Sequence, residues 1–259
     1  MLDFETRRRP AVTSDETFPS TPAVVNVQSL SYAYPNGHVA LREVSLTIHE
    51  GERVALMGPN GAGKSTLLMH LNGIVQSPRP RGRIEICGQP LNDETIRRIR
   101  ALVGVVFQNP DDQLFSPTVY DDVAYGPLYM GLPKDEIRQR VERSLAAVDM
   151  AGFETRLPHQ LSLGQRKRIS LATVLAMDPR ILVLDEPSAG LDPRARRGLI
   201  ALLDGLPQTL IASTHDMRLV RDLFTRAVIM QEGRIVIDAP TSDIIDDESL
   251  LEAYGLELP

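Results

Sequence analysis

Cysteine is almost absent from these 259 residues: Cys87 stands alone, which excludes an internal disulfide and suits a reducing compartment. The five histidines are scattered without metal-ligand spacing, so no zinc site is implied. Long hydrophobic runs are also missing. None approaches the roughly eighteen residues that a transmembrane helix needs, and the opening MLDFETRRRP lacks the apolar stretch of a signal peptide. The expectation is a soluble chain of the cytoplasm that meets any membrane through a partner. Positive charge is in deficit, with 28 Lys and Arg against 34 Asp and Glu for a net charge of -6, which argues against a sequence-independent grip on nucleic acid. The basic runs RRR at 7–9 and RPRGR at 79–83 read as a solvated tail and a charged turn. What is present is enough apolar matter, 42% of residues, for one large core or two unequal subdomains.

Residues 1–23 are rich in Thr, Ser, Pro and charge with no apolar period, and read as a flexible extension. From Ala23, VVNVQSLSYAY and ALREVSLTI alternate apolar with polar residues around a Pro35-Asn36-Gly37 turn, the pattern of an antiparallel layer of half-buried strands. RVALMG is a short buried strand that runs into a glycine-rich turn and then into KSTLLMHLNG, with helical spacing up to Gly73. A second strand pair is expected around RGRIEICG, a helix near Glu94 to Arg100, and a strand LVGVVF leading to Gln108. Helices then dominate. The clearest runs from Lys134 to Met150, with Ile137, Val141, Leu145 and Val148 on one face. Strand and helix alternation resumes with ILVLDE, a helix from Pro193, TLIAST, a helix after His215, and the hairpin AVIMQEGRIVIDAP. Such alternation implies a largely parallel sheet covered by helices on both faces, with the helical block at about 109–165 inserted into it.

GPNGAGKST, residues Gly58, Pro59, Asn60, Gly61, Ala62, Gly63, Lys64, Ser65 and Thr66, fits G-x-x-x-x-G-K-[ST] between a predicted strand and a predicted helix. Gly58, Gly61 and Gly63 let backbone N–H groups turn inward around phosphates, and the helix N-terminus presents its unpaired donors to the same anion. Lys64 supplies a point charge between β and γ phosphates, and the Ser65 hydroxyl a magnesium ligand. The plain alternative is a glycine-rich turn before an ordinary helix; a chance match is expected in about one chain in a hundred of this length, before the strand and helix context is demanded. ILVLDEP provides the second half, a buried strand ending in Asp185 and Glu186. The C-terminal edge of such a strand is where α/β folds place ligands. Asp185 can hold magnesium through water, and Glu186 can orient or deprotonate an attacking water.

Between these halves lies LSLGQRKR, residues 161–168. With it the chain resembles the ATP-binding-cassette ATPases over about residues 24–238. The family pattern LSGGQ is matched at Ser162, Gly164 and Gln165 and departs at Leu163. A serine able to cap a helix, followed by a glycine N–H open to an anion, repeats the phosphate chemistry of the cradle. The resemblance implies that this second anion-binding helix serves the γ-phosphate held by another subunit. It further implies that Tyr34, 24 residues before Gly58 (58 minus 34), stacks on adenine; that Gln108 is the hinge glutamine contacting magnesium and water; that Asp192 crosses a dimer interface; and that His215 is the switch histidine at the γ-phosphate. Singly, Tyr34 reads equally as a strand residue, Gln108 and Asp192 as turn polars, and His215 as a helix cap.

The stretch FQNPDDQLFSPTVYDDVAYGP, residues 107–127, is similar to the ATPases of energy-coupling-factor transporters, particularly those of cobalt and nickel uptake. The implied fold class is α/β: a P-loop NTPase core with a mixed sheet, an antiparallel β layer and an inserted helical subdomain, all within a single domain over 24–259. The implied function is ATP hydrolysis that powers import of cobalt or nickel. The cofactors are ATP and Mg2+. The partners are a second ATPase subunit, identical or paralogous, with a membrane-embedded coupling protein and a cargo-binding membrane subunit, and no nucleic acid; the location is the cytoplasmic face of the cell membrane. An importer of a vitamin or other small solute is the nearest alternative. Soluble cassette proteins of translation or repair are a further one, against which stand the single cassette and the absence of sustained heptads over the 121 positions from Lys64 to Asp185 (185 minus 64). With 44 residues following His215 (259 minus 215), the expectation is a last hairpin and short helices without an added regulatory domain.

Overall fold

The computed structural model describes residues 21–76 and 81–256. The expected N-terminal extension, with its Arg7–Arg9 run, lies outside them up to residue 20, as does Arg79 of the second basic run.

Two long strands open the fold, β1 (Ala23–Ala33) and β2 (Val39–His49), joined through the expected turn. Gly37 takes φ 88° there, and the Asn36 side chain accepts the His38 N–H at 3.0 Å. The pair is antiparallel, with Val27 opposite Leu46 and Leu30 opposite Val44. Three steps on β1 thus face two on β2. The extra residue is a bulge with Ser29 at φ 48°, which interrupts the alternation expected from the sequence and resets which side chains face inward. Strand β3 (Arg53–Met57) follows, with Val54 to Met57 buried, and leads through the glycine turn into helix α1 (Lys64–Leu71). Strands β4 (Arg81–Ile86) and β5 (Gln89–Pro90) complete a four-stranded sheet in the order β2-β1-β4-β5. Helix α2 (Ile96–Leu102) then feeds β6 (Val103–Val106).

Beyond β6 come α3 (Val119–Tyr129), α4 (Lys134–Ala147) and α5 (Leu163–Leu175). Ile137, Val141, Leu145 and Val148 are all buried, as their spacing predicts, although α4 ends at Ala147 rather than at Met150, with Asp149 at φ 57° turning the chain away. Alternation resumes with β7 (Ile181–Asp185), α6 (Pro193–Asp204), β8 (Thr209–Ser213), α7 (Met217–Leu223), the hairpin β9 (Arg226–Gln231) and β10 (Arg234–Pro240), and α8 (Glu248–Ala253). The second sheet runs β10-β9-β3-β8-β7-β6, parallel throughout except at the β9–β10 hairpin. Every residue of β7 and β8 is buried, the signature of strands covered on both faces.

The covering differs from expectation. On one face Val54, Leu56, Ile181, Val183 and Ile211 pack with Leu67, Leu68 and Leu71 of α1 and with Val25, Ile48 and Ile86 of the antiparallel sheet. On the other, Met57, Leu182, Leu184 and Leu210 meet Ile169 of α5, Leu199 of α6, Val220 of α7 and Leu251 of α8. The half-apolar antiparallel sheet must bury one side, and the face carrying α1 gives it the place that helices alone were expected to fill. Among the described residues no helix is long and apolar enough to cross a membrane.

Candidate active site

Because β3, β6, β7 and β8 run parallel, their C-terminal ends share one edge of the sheet, and the turns beyond them carry the residues singled out in the sequence. A cavity of about 410 Å³ opens there, lined by Tyr34, His38, Ala40, every residue from Asn60 to Thr66, Gln108, Glu186 and His215. Gly58 enters the cradle at φ 132°, and a Cβ there would lie 2.1 Å from the Met230 carbonyl oxygen. Gly63 caps α1 at φ 101° without any side-chain cap, so the first N–H groups of α1 are left to an anion. The Lys64 ammonium donates to the carbonyls of Gly58 at 2.7 Å and Pro59 at 3.0 Å. Burial draws its pKa below the ordinary lysine value, while the Glu186 and Asp185 carboxylates work to raise it.

Asp185 is buried at the end of β7 and accepts hydrogen bonds from Ser65 Oγ at 2.9 Å and from Ser213 Oγ. A hydroxyl and a carboxylate so close at a phosphate cradle are hard oxygen donors that fit a magnesium ion completed by phosphate and water. Glu186 adopts φ 45°, rare for a residue with a side chain. Its N–H donates to Ser213 O and Oγ, each at 3.1 Å, and its carbonyl accepts from Ala189 N at 3.1 Å. This turn aims the carboxylate into the cavity, where Oε2 is buried and lies 2.9 Å from Nδ1 of the exposed His215. Tyr34 stands at the rim. Its hydroxyl shares a 2.9 Å hydrogen bond with Thr66 Oγ1, and its ring lies edge-on to Tyr32 with centroids 5.0 Å apart.

Ser162, Leu163, Gly164 and Gln165 do not line this cavity. They form the N-terminus of α5 in a complete capping box: Ser162 Oγ accepts from Gln165 N at 3.3 Å, and Gln165 Oε1 accepts from Ser162 N at 2.9 Å. The departure at Leu163 leaves that box intact, because the leucine turns toward its own chain, where its Cδ2 lies 3.0 Å from where a Cβ on Gly190 would stand. Asp192 caps α6, accepting from Arg194 N at 2.8 Å and Ala195 N at 3.0 Å; these two bonds hold its carboxyl below the usual carboxylate range.

Reading the sequence missed several residues. His38 and Ala40 join the cavity from β2 and the turn before it, with no chemical signal to mark them. Ser213 sits inside the TLIAST strand, where nothing in the sequence marks it, yet it touches both carboxylate positions. Lys167 is buried in α5, and its ammonium donates to the carbonyls of Gln108 at 3.0 Å and Glu186 at 3.2 Å. Burial lowers its pKa, opposed by Glu186 and Asp185. The Asn-Pro-Asp-Asp-Gln segment is sewn to the same helix: Asp111 pairs with Arg166 at 2.8 Å, and Gln113 donates to Ser170 O and Thr173 Oγ1, both at 2.8 Å.

A glycine-lined phosphate cradle on a parallel sheet, with two carboxylates beside it, defines a P-loop nucleotide hydrolase. Narrower comparisons agree. The family model described as ABC transporter matches residues 41–189. The energy-coupling factor transporter ATP-binding protein EcfA of Carboxydothermus hydrogenoformans is 48% identical over 238 residues, covering 91% of this chain and 87% of that one. The solved structure of cbiO1 from Clostridium perfringens, described as part of the ABC transporter complex cbiONQ, aligns with a TM-score of 0.78 at 37% identity over 89% of this chain and 94% of the other. The dimeric post-hydrolysis state of the ATP-binding cassette MJ0796, bound to ADP and Pi, aligns with a TM-score of 0.74 at 29% identity over 84% and 98%. The chain belongs to the ABC transporter ATPases, of the energy-coupling-factor type, and is an ATP-binding, ATP-hydrolysing protein.

Proposed function

We propose that this ATPase powers import of a transition metal ion, cobalt or nickel, from the cytoplasmic face of a membrane. It works as one of a pair, beneath a membrane-embedded coupling protein and a separate cargo-binding subunit. On this reading residues 24–259 act as one cassette domain, with the helical block at about 109–165 as its subdomain and residues 1–23 as an extension.

The observation that carries the chemistry is the convergence of Lys64, Gln108, Glu186 and His215 on one cavity, with Ser65 bonded to Asp185 at its edge. Tyr34 offers a ring face to adenine. The N–H groups from Asn60 to Thr66 cradle the phosphates, and Lys64 leaves its carbonyl partners to face the β and γ oxygens. Ser65, Asp185 and Gln108 would hold Mg2+, which when bound supplies positive charge to the phosphate oxygens. Glu186 accepts a proton from the attacking water as that water's oxygen bonds to the γ-phosphorus and the bond to the ADP oxygen breaks. His215 stands against the same carboxylate, placed to meet the γ-phosphate.

Docking is supported by an exposed apolar patch that the fold leaves uncovered. Phe115, Leu128 and Tyr129 are 67%, 65% and 73% exposed and Tyr125 is 53% exposed, and the Phe115 and Tyr125 rings pack edge to face with centroids 5.0 Å apart. Asp111 and Asp112 lie just before this patch in the chain. The resemblance of residues 107–127 to cobalt and nickel ATPases supports the choice of cargo, which uptake assays with cobalt, nickel and vitamins in the assembled transporter test; vitamin uptake alone would overturn it. Glu186→Gln tests the chemistry. It should bind ATP as the parent does and lose turnover by about 10²- to 10⁴-fold. Near wild-type hydrolysis would sink the assignment.

A further inference from the structure

Lys64 and Lys167 are the buried lysines among the described residues, and only Lys64 has a part in the chemistry so far. A buried ammonium is costly unless it is hydrogen-bonded, so a residue needed for packing alone would be better served by an apolar side chain. Lys167 spends its donors on two backbone carbonyls, those of Gln108 and Glu186, which belong to different strand ends. Glu186 is the residue at φ 45°, a backbone conformation that persists only where its surroundings over-determine it. Ser213 holds its N–H, while its carbonyl is held by Ala189 N and by Lys167. Lys167 is thus the side chain that completes the turn aiming the carboxylate. It sits five residues beyond Ser162 (167 minus 162) in the same helix, so one rigid element carries both the LSLGQ cap and the tie.

We propose that Lys167 is a positioning residue for ATP hydrolysis: its ammonium locks the Glu186 turn and the Gln108 hinge to α5, so that the water-activating carboxylate is aimed only while α5 is seated. The inference rests on the reading of Glu186 given above. Signature contact across a dimer would then reach the carboxylate of the same chain through a single side chain.

The test is a kinetic cycle on the purified full-length chain. Lys167→Met keeps the apolar stem and removes the donors. The expected result is a fall in kcat of about tenfold or more, with KM for ATP and nucleotide affinity within about twofold of the parent. Lys167→Gln, which keeps N–H donors without charge, should recover part of that kcat. In a Glu186→Gln background Lys167→Met should change the residual rate by less than about twofold, because both act through one group. An unchanged kcat in Lys167→Met overturns the proposal, as does a full loss repeated in the Glu186→Gln background or a loss confined to KM. If circular dichroism shows Lys167→Met unfolded, Lys167→Gln carries the same cycle, and additive losses there are equally fatal. Wild-type turnover in Glu186→Gln alone would mark a different failure, that of the Glu186 assignment itself, and Lys167 would fall with it.

Discussion

At the scale of single residues, two glycines of the cradle separate structural need from ligand need. A methyl on Gly58 would meet the Met230 carbonyl oxygen at 2.1 Å, and backbone there cannot swing aside as a side chain can. Gly61, at φ 80°, has nothing within 4 Å of the same methyl and itself lines the cavity. Gly58→Ala should therefore lose about 3 kcal/mol or more of stability, from a forced contact added to positive-φ strain. Gly61→Ala should lose only about 1 kcal/mol from strain, yet bind ATP more weakly. Urea midpoints and nucleotide titrations on both variants check this, and equal stability losses would refute the contrast. The glycine pattern was legible from spacing alone, because G-x-x-x-x-G-K-[ST] encodes a backbone shape. Which glycine faces protein and which faces ligand was not, since Met230 approaches from 172 positions away (230 minus 58).

At the scale of elements, α5 is the meeting point. Its first turn is the LSLGQ cap; Arg166 pairs with Asp111, Lys167 reaches two strand ends, and the Ser170 carbonyl and Thr173 hydroxyl accept from Gln113. Strand and helix positions were readable because β3, β7 and β8 are continuous apolar runs and α4 keeps its four-residue spacing. The Ser29 bulge was not, since one extra residue in an alternating strand leaves no mark in composition. Nor were the ties of α5 to the segment after β6, which join residues 55 to 60 positions apart through side chains, Arg166, Lys167 and Gln113, whose partners no local pattern marks. A consequence follows for the acidic pair after Gln108. Asp111→Ala with Asp112→Ala should bind nucleotide normally in isolation while failing to assemble with the membrane subunits. Because Asp111 also holds Arg166, its single variant should additionally lower stability, by no more than about 1 kcal/mol for so exposed a pair, whereas Asp112→Ala should not. Uptake by the assembled double variant equal to wild type would remove the docking role.

At the scale of the whole molecule, two glycine-bearing helix N-termini stand out, those of α1 and α5, and of the two it is α1 that opens into the cavity of the phosphate cradle. Helix α1 opens into the cavity through Gly63 and Lys64, whereas the Ser162 end of α5 caps itself and does not line that cavity, with Ser162 exposed. Head-to-tail pairing about a two-fold axis would give the second end a phosphate, since each LSLGQ helix would then cover the γ-phosphate in the partner's cradle and one self-complementary interface would build both sites. Asp192, at the start of α6, would stand at the same interface. ATP would then bind the closed pair better than the open one and is expected to shift the population toward dimer, with loss of the γ-phosphate reversing the shift. The decisive measurement mixes two chains, Lys64→Ala and Ser162→Arg, each expected to be inactive alone. In their heterodimer one site combines an intact cradle with an intact signature while the other combines both defects, so partial recovery of hydrolysis on mixing is the expected outcome. If both variants fold and associate but mixing restores nothing, a single composite site is not sufficient for turnover or Ser162 does not act across the interface. Full activity of Ser162→Arg alone would refute its role outright, because an arginine at the cap cannot present the phosphate face that the pairing requires.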